Sequence, residues 1–209
     1  MWFAARVLTA NDPVSEVWEA AGGLQADPTA AALARGLPDG ATVCVLGWPA
    51  EIAEALQRRG DLRVLAVDPG EGTSQLHRRR GAGCEPVDVP VQGLGAAVRA
   101  ADLVLLEAAA IGPETFVAVP GSLAAAAVAR CTRVPVWLVG GVGRVLPSRM
   151  YEGLEARLTT GEPWDAADEI VPNDLVDQIV GIAGPEPVAE GLKRCNCPVA
   201  PELFGGIAL

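Results

Sequence analysis

From residue 41 onward, short apolar runs alternate with stretches that have the length and pattern of amphipathic helices. The first apolar run, TVCVLG (residues 42–47), carries no charge, as is typical of a strand buried on both faces. PAEIAEALQRRG (49–60) begins with proline and ends with glycine, which indicates a helix. Such alternation specifies parallel strands joined by right-handed crossovers. The sequence therefore predicts an α/β fold, a Rossmann-like three-layer sandwich with a mainly parallel sheet and helices on both faces.

The remaining elements continue this pattern. We expect further strands at residues 62–68, 84–89, 102–107, 116–119, 134–140 and 168–171, and further helices at 73–81, 91–100, 122–130 and 148–158. Residues 172–192 are predicted to form a helix, a loop and a last turn. Residues 1–40 hold two helical stretches that begin with Asp-Pro, so we predict a short helical leader at 1–40 and one domain at 41–209.

The charge of the chain limits its partners. A net charge of −10 argues against a nucleic-acid surface, because binding to a phosphate backbone needs an excess of lysine and arginine. The one basic run, Arg78 to Arg80, is interpreted as a solvated helix end, with a phosphate clamp as the alternative. A small anionic ligand is still compatible with this charge, since local arginines can oppose the global field.

The cysteines and the apolar runs indicate the environment of the protein. Five cysteines at irregular spacing, without a signal-peptide pattern, predict a reducing, cytoplasmic location. No membrane segment is expected, because residues 1–10 are too short to span a bilayer and residues 102–111 contain Glu107. Cys195 and Cys197 lack nearby partners for a tetrahedral metal site. We therefore predict free thiols, no metal and no cofactor.

Ligands of parallel α/β sheets bind beyond the carboxyl ends of the strands. Gly47 and Trp48 follow the first predicted strand, and Asp68 ends the next one, 21 positions after Gly47. This spacing is similar to that of nucleotide-binding βαβ units, in which the acid accepts the ribose hydroxyls. The alternative is a plain strand-to-helix turn, because the glycine-rich fingerprint is missing and Pro49 removes one N–H donor of the helix.

A second candidate follows Asp68. Thr73 precedes a predicted helix and is either part of an anion-binding cradle or a simple N-cap. His77, the only histidine, lies in the same helix and is interpreted as a surface residue rather than a general base.

A third candidate is VGGVGR (residues 139–144). Gly141 and Gly143 would let the backbone approach a phosphate closely, and Arg144 would supply the opposite charge. The segment lacks the Lys-Ser/Thr ending of a P-loop, so it does not specify a nucleotide.

Residues 101–139 carry a family resemblance. ADLVLLEAAAIGPETFVAVPGSLAAAAVARCTRVPVWLV contains a strand, a short loop, a second strand, an alanine-rich helix and a strand introduced by Val-Pro. It resembles the family of the alpha, beta and delta subunits of initiation factor 2B, methylthioribose-1-phosphate isomerase and ribose-1,5-bisphosphate isomerase. VPNDLVDQIVG (171–181) is similar to the family's TPPELVDLLIT, and the likeness covers residues 41–192. The resemblance implies a Rossmann-like domain, a phosphorylated sugar or nucleotide as ligand, and dimerisation through this domain.

The sequence departs from the family where the chemistry takes place. Ala109 stands where the isomerases have their catalytic aspartate, and Ala118 and Val119 stand where they have Asn-Lys. Gly121 and Ser122 keep the end of that motif, with serine in place of threonine, and are candidate ligand-binding residues. Alanine cannot donate or accept the proton that isomerisation moves. The resemblance therefore implies a family pocket without the family's isomerase chemistry.

Three functional hypotheses follow. The first is a divergent initiation factor 2B-like protein that binds a phosphorylated sugar or nucleotide without isomerising it. The second is a sugar-phosphate isomerase with relocated catalytic carboxylates, for which Glu107 and Asp68 are the candidates. The third is a structural or assembly subunit that acts as a dimer. We expect a small phosphorylated ligand and a homodimer, with neither nucleic acid nor membrane as partner.

Overall fold

The computed structural model describes residues 1–68, 86–159 and 162–204. Its helices are α1 (Trp2–Thr9), α2 (Pro13–Gln25), α3 (Thr29–Gly36), α4 (Ala50–Gln57), α5 (Leu94–Ala100), α6 (Ser122–Thr132), α7 (Ser148–Leu158) and α8 (Val188–Leu192). Its strands are β1 (Thr42–Leu46), β2 (Arg63–Asp68), β3 (Val87–Pro90), β4 (Leu103–Glu107), β5 (Ala110–Ile111), β6 (Thr115–Ala118), β7 (Val136–Val139), β8 (Glu169–Pro172), β9 (Gln178–Gly181) and β10 (Gly184–Pro187).

Seven strands form a central sheet in the order β10-β9-β7-β4-β1-β2-β3. All of them run parallel except β10, which pairs antiparallel with β9. Helices α3 and α4 pack on one face of this sheet, and α5 and α6 pack on the other. The predicted three-layer α/β sandwich is confirmed.

The side chains of the middle strand β1 are buried on both faces of the sheet. Val43 and Val45 pack into the core beneath α3 and α4, whereas Cys44 and Leu46 pack into the core beneath α5 and α6. Successive side chains of a strand point to opposite faces, so a strand in the middle layer must be apolar at every position.

Most predicted elements lie within a few residues of the observed ones, and α7 has the predicted bounds of 148–158. The helix expected at 73–81 falls outside the described residues. Of the strand expected at 84–89, the described part is β3 at Val87–Pro90.

β5, β6 and β8 form a separate antiparallel sheet in the order β5-β6-β8. The strands predicted at 116–119 and 168–171 belong to this sheet, so their expected place in the parallel sheet was wrong. The short connection between β5 and β6, residues 112–114, explains the difference. A parallel crossover needs about a dozen residues or more, so a link of this length can join only antiparallel strands.

The helix predicted at the start of residues 172–192 was also wrong. Asn173–Leu175 is a single 3-10 turn, and β9 and β10 then form an antiparallel pair before α8. Ile179 packs into the core beneath α5 and α6, whereas Val180 packs into the core beneath α3 and α4. A short apolar run buried on both faces has no period that separates it from a buried helix.

The first 40 residues form the three helices α1, α2 and α3. α3 packs against α4, β9 and β10, and a Cβ on Gly36 would lie 2.6 Å from Cγ of Pro185. α1 packs against α2, and Trp2 lies in a third apolar cluster with Tyr151. The domain boundary at residue 40 stays a prediction.

Each helix in the described parts of the chain is too short or too polar to cross a bilayer. Of the cysteines described, Cys131 and Cys195 are exposed and free, and Cys44 and Cys197 are buried and free. Burial raises the pKa of the Cys44 thiol to about 12, and burial, together with Cys195, raises that of Cys197 to about 11. These two buried thiols are therefore protonated at neutral pH.

Candidate functional site

Strands β1, β2, β4 and β7 end at one edge of the central sheet, which we call the strand-end edge. At this edge Gly47 follows β1, Asp68 ends β2 and Glu107 ends β4. Residues 140–144, which we call the glycine loop, follow β7. The fold thus brings most of the predicted segments to the same edge, where ligands of open α/β sheets bind.

The Glu107 carboxylate caps the N-terminus of α4. Its Oε2 accepts hydrogen bonds from the backbone N–H groups of Glu51 (3.0 Å) and Ile52 (3.2 Å). The first N–H groups of a helix have no partner within the helix and attract negative charge, so this carboxylate stabilises α4. Burial raises the pKa of Glu107, while these two N–H groups and Arg144 oppose the rise.

The glycine loop also holds a carboxylate. Oδ2 of Asp27, between α2 and α3, accepts the N–H of Val142 at 2.6 Å, and Oδ1 accepts the N–H of Thr29 at 2.8 Å. A Cβ on Gly141 would lie 2.6 Å from Oδ2 of Asp27, so the close approach requires glycine at this position. The carboxylate of Asp27 lies where the sequence predicts a phosphate.

Gly121 and Ser122 form the start of α6. Gly121 has φ +95°, and the buried Ser122 hydroxyl donates to the carbonyl of Val119 at 2.7 Å. The next N–H, that of Leu123, donates to Oε2 of Glu169 at 2.8 Å. The start of α6 is thus the third place at this end of the fold, after the start of α4 and the glycine loop, where a backbone N–H that could bind an anion already donates to a carboxylate of the chain.

Glu51 lies among these charged groups. Burial, together with the charges of Asp27 and Glu107, raises the pKa of Glu51 to about 6, and Arg144 opposes the rise. A Cβ on Gly141 would lie 3.1 Å from Oε1 of Glu51, which places this carboxyl beside the glycine loop. The loop is therefore bordered by carboxylates and by one guanidinium.

A cavity of about 480 Å³ opens beside the glycine loop, and we call it the strand-end cavity. Gly143, Arg144, Asp27, Glu51 and Asp168 line its polar side. Its apolar wall is built by Trp2, Phe3, Leu24, Leu146, Leu154 and Leu158.

Ala109 lies on the wall of this cavity. Nη1 of Arg144 donates to the Ala109 carbonyl at 3.1 Å, so the guanidinium lies beside the backbone of Ala109. Among the described residues, Arg144 is the only arginine or lysine that lines the cavity.

Other predicted residues lie elsewhere. Trp48 is 9% exposed and packs in the core beneath α3 and α4, and Gly47 turns the chain there with φ +62°. Asp68 ends β2 and is separated from Glu107 by β1, which puts their backbones about 10 Å apart. Thr73 lies outside the described residues.

The sequence interpretation missed four of the charged groups described above: Asp27, Glu51, Asp168 and Glu169. The Asp-Pro at 27–28 was recognised only as a helix start, and nothing local shows that its carboxylate reaches residue 142. Within residues 1–68, 86–159 and 162–204, no group of three or more His, Cys, Asp or Glu side chains is arranged to hold a metal ion.

The chain matches no protein-family model and no curated protein sequence. Solved structures do match. It is similar to eIF2B beta from Chaetomium thermophilum, with a TM-score of 0.67 and 18% identity over 92% of this chain and 63% of that one. It is similar to the translation initiation factor eIF-2B of Pyrococcus horikoshii OT3, with a TM-score of 0.72 and 14% identity over 91% and 76% of the two chains.

A third similar structure is the tetrameric eIF2B-beta2-delta2 complex from C. thermophilum, with a TM-score of 0.68 and 18% identity over 86% of this chain and 62% of that one. This chain thus spans less than two thirds of the C. thermophilum chains. At these identities the likeness shows a common fold, which is the fold of the proteins that the sequence resembles.

Proposed function

We propose that this chain is a divergent eIF2B-like protein that binds a small phosphorylated sugar or nucleotide in the strand-end cavity and does not isomerise it. The observation that carries the proposal is the position of Ala109 on the wall of an open cavity, next to the Arg144 guanidinium. A positioned acid or base contributes roughly 10² to 10⁴ in rate, and a methyl group contributes none of it.

The cavity has the size and the groups that such a ligand needs. Its volume of about 480 Å³ falls within the roughly 300–1,000 Å³ range of small-molecule sites. Arg144 supplies a cation for one phosphate, and the Glu51 carboxylate can accept hydrogen bonds from sugar hydroxyls. The apolar wall beside Trp2 and Phe3 suits the carbon face of a sugar or a base.

The alternative is an isomerase with relocated carboxylates. Glu107 would have to release the N–H groups of Glu51 and Ile52 before its Oε2 could abstract a proton. The backbones of Asp68 and Glu107 lie about 10 Å apart, on either side of β1. This arrangement favours binding over catalysis.

Thermal denaturation with ribose 5-phosphate, ribose 1,5-bisphosphate or adenosine monophosphate tests the proposal. A ligand at about 100 times its dissociation constant adds roughly 2.7 kcal/mol to the free energy of unfolding. We expect at least one of them to raise the melting temperature of the wild type, and Arg144→Ala to abolish the rise. The proposal fails if no phosphorylated compound raises it, or if mass spectrometry shows a product that Glu107→Gln removes.

An assembly role is the second candidate. Trp164 is 78% exposed, and with Leu123 and Pro120 it forms the apolar part of a cleft beside the β5-β6-β8 sheet, which Glu162, Asp168 and Glu169 also line. One of the similar structures is a beta2-delta2 tetramer. We therefore propose a homodimer formed through this side of the molecule, and a cytoplasmic location that agrees with the free cysteines.

A further inference from the structure

The Asp27 carboxylate is an anion that the glycine loop already binds. Its Oδ2 lies 2.6 Å from the Val142 nitrogen, a distance typical of a strong, charge-assisted hydrogen bond. Asp27 belongs to the junction of α2 and α3, 115 residues away in sequence, so the fold and not the local chain brings it here.

The backbone of the loop is shaped for this contact. The Arg144 N–H donates to the Gly141 carbonyl at 3.2 Å, which closes a tight turn with Gly143 at φ +78°. Gly141 has no side chain to keep the carboxylate away, since a Cβ there would lie 2.6 Å from Oδ2 of Asp27. Backbone N–H groups on a glycine turn are a common receptor for phosphate and carboxylate oxygens.

Among the residues that the structure describes, Asp27 forms no ion pair. A Cβ on Gly141 would lie 2.6 Å from Oδ2 of Asp27 and 3.1 Å from Oε1 of Glu51, so these two carboxyl groups are neighbours beside the loop. The Val142 and Thr29 N–H groups are therefore the contacts that keep Asp27 in the loop. An oxyanion with several oxygens can accept from the Val142 N–H and pair with Arg144 at the same time, whereas the Asp27 carboxylate has no ion pair with Arg144 in the described structure.

We propose that Asp27 is a built-in competitor for the glycine loop, and that an oxyanion of the bound ligand, such as a phosphate monoester, displaces it from the Val142 N–H. The loop and the strand-end cavity share Gly143 and Arg144, so the incoming group would lie beside the Arg144 guanidinium. This inference extends the proposed function by giving its site a closed state, with Asp27 in the loop, and an open state, with Asp27 released.

Displacement reaches beyond the loop, because the same carboxylate also accepts the Thr29 N–H at the start of α3. α3 packs against α4 and against the β9-β10 edge of the sheet. Binding of an oxyanion thereby loosens the junction of α2 and α3. Only molecules in the open state can bind the oxyanion. The apparent affinity of the wild type therefore equals the affinity of the open state multiplied by the fraction of molecules in that state.

Calorimetric titration with inorganic phosphate tests the competition directly. If the open state is populated at about one part in ten, Asp27→Ala is expected to tighten phosphate binding about tenfold. Asp27→Asn removes the charge but keeps a carbonyl oxygen for Val142, so its gain is expected to be smaller. Asp12→Ala is the matched control, since Asp12 caps α2 through Val14 and Ser15 without contact to the loop, and it should bind phosphate as the wild type does.

A double variant locates the site. In Asp27→Ala combined with Gly141→Ala, the new methyl group occupies the position of the carboxylate, so the gain in phosphate affinity should disappear. The inference is overturned if Asp27→Ala and Asp27→Asn bind phosphate no more tightly than the wild type, or if the double variant keeps the gain. Tighter phosphate binding by Asp27→Ala, with no phosphorylated sugar or nucleotide stabilising either protein, would support the competition and refute the proposed function.

Discussion

Asp27, Glu107 and Glu169 each place a carboxylate oxygen on backbone N–H groups at one end of the fold. Such N–H groups at helix starts and glycine turns bind anions whatever their source. The sequence predicts a phosphate at the glycine loop, and the structure places the Asp27 carboxylate there, because the local sequence does not show that the chain supplies its own anion.

At the same scale, the raised pKa of Glu51 leads to a prediction about pH. The carboxyl has a pKa of about 6 in the folded chain against an ordinary value of 4.5, so folding favours its protonated form. The folded state then binds more protons between pH 4.5 and 6, and stability decreases as the pH rises through this window. We expect Glu51→Gln to add about 1 kcal/mol to the free energy of unfolding at pH 8, after allowance for solvent screening, and nothing below pH 4.5.

Urea denaturation at pH 8 and pH 4 measures this difference. Glu54→Gln is the control on the same helix, because Glu54 is exposed and pairs with Arg58 at 2.6 Å. Glu54→Gln should lower the free energy of unfolding at pH 8 by a few tenths of a kcal/mol, whereas Glu51→Gln should raise it. An equal change for Glu51→Gln at both pH values would show that its environment does not disfavour the charge.

At the scale of elements, the predictions succeeded where a segment had a clear period or a clear boundary. α7 has a polar face and an apolar face and begins after Pro147, and its bounds were predicted correctly. β9 is short and buried on both faces, and β5 has only two residues, so neither offers a period to read. Their assignment depends on tertiary contacts that the local sequence does not contain.

The contact between α1 and the glycine loop gives a prediction at this scale. Gly143 has φ +78°, and a Cβ there would lie 2.4 Å from Cγ of Trp2, a side chain that is only 5% exposed. Gly143→Ala is expected to destabilise the fold by at least about 2 kcal/mol, since both the backbone conformation and the overlap are unfavourable. The midpoint of urea denaturation, followed by tryptophan fluorescence, measures the loss.

Gly95→Ala is the matched control for this change. Gly95 lies in α5, and a Cβ on it would meet nothing within 4 Å. Alanine there should leave stability unchanged or raise it by up to about 1 kcal/mol, because alanine favours the helix. If both substitutions cost the same, the packing of Trp2 on the loop is not what requires glycine at position 143.

At the scale of the whole molecule, the sequence was sufficient for the fold class and for the segments that meet at the strand-end edge. Alternating strands and helices determine a parallel sheet with helices on both faces, and the carboxyl ends of parallel strands lie at one edge of the sheet. The content of the site could not be predicted in the same way. Asp27 meets residue 142 only after α1 to α3 have packed, and the cavity wall at Trp2 and Phe3 comes from a segment interpreted as a leader.

Assembly is the property of the whole molecule that a single substitution can test. Trp164 is 78% exposed and lines the cleft beside the β5-β6-β8 sheet, and tryptophans near the centre of an interface carry much of its binding energy. We expect sedimentation to show a dimer for the wild type. Trp164→Glu should weaken it by about thirtyfold or more, which corresponds to the ~2 kcal/mol of an interface hot spot.

The control is the other strongly exposed tryptophan, Trp18 on α2, which is 74% exposed. The proposed interface lies beside the β5-β6-β8 sheet and does not include α2, so Trp18→Glu should sediment as the wild type does. A monomeric wild type at micromolar concentration would refute the homodimer. Dissociation by Trp18→Glu, with Trp164→Glu still dimeric, would instead move the interface to the helices of residues 1–40. Leu158 of α7 lines both the cleft that holds Trp164 and the strand-end cavity. The ligand-induced rise in melting temperature should therefore also be measured for Trp164→Glu.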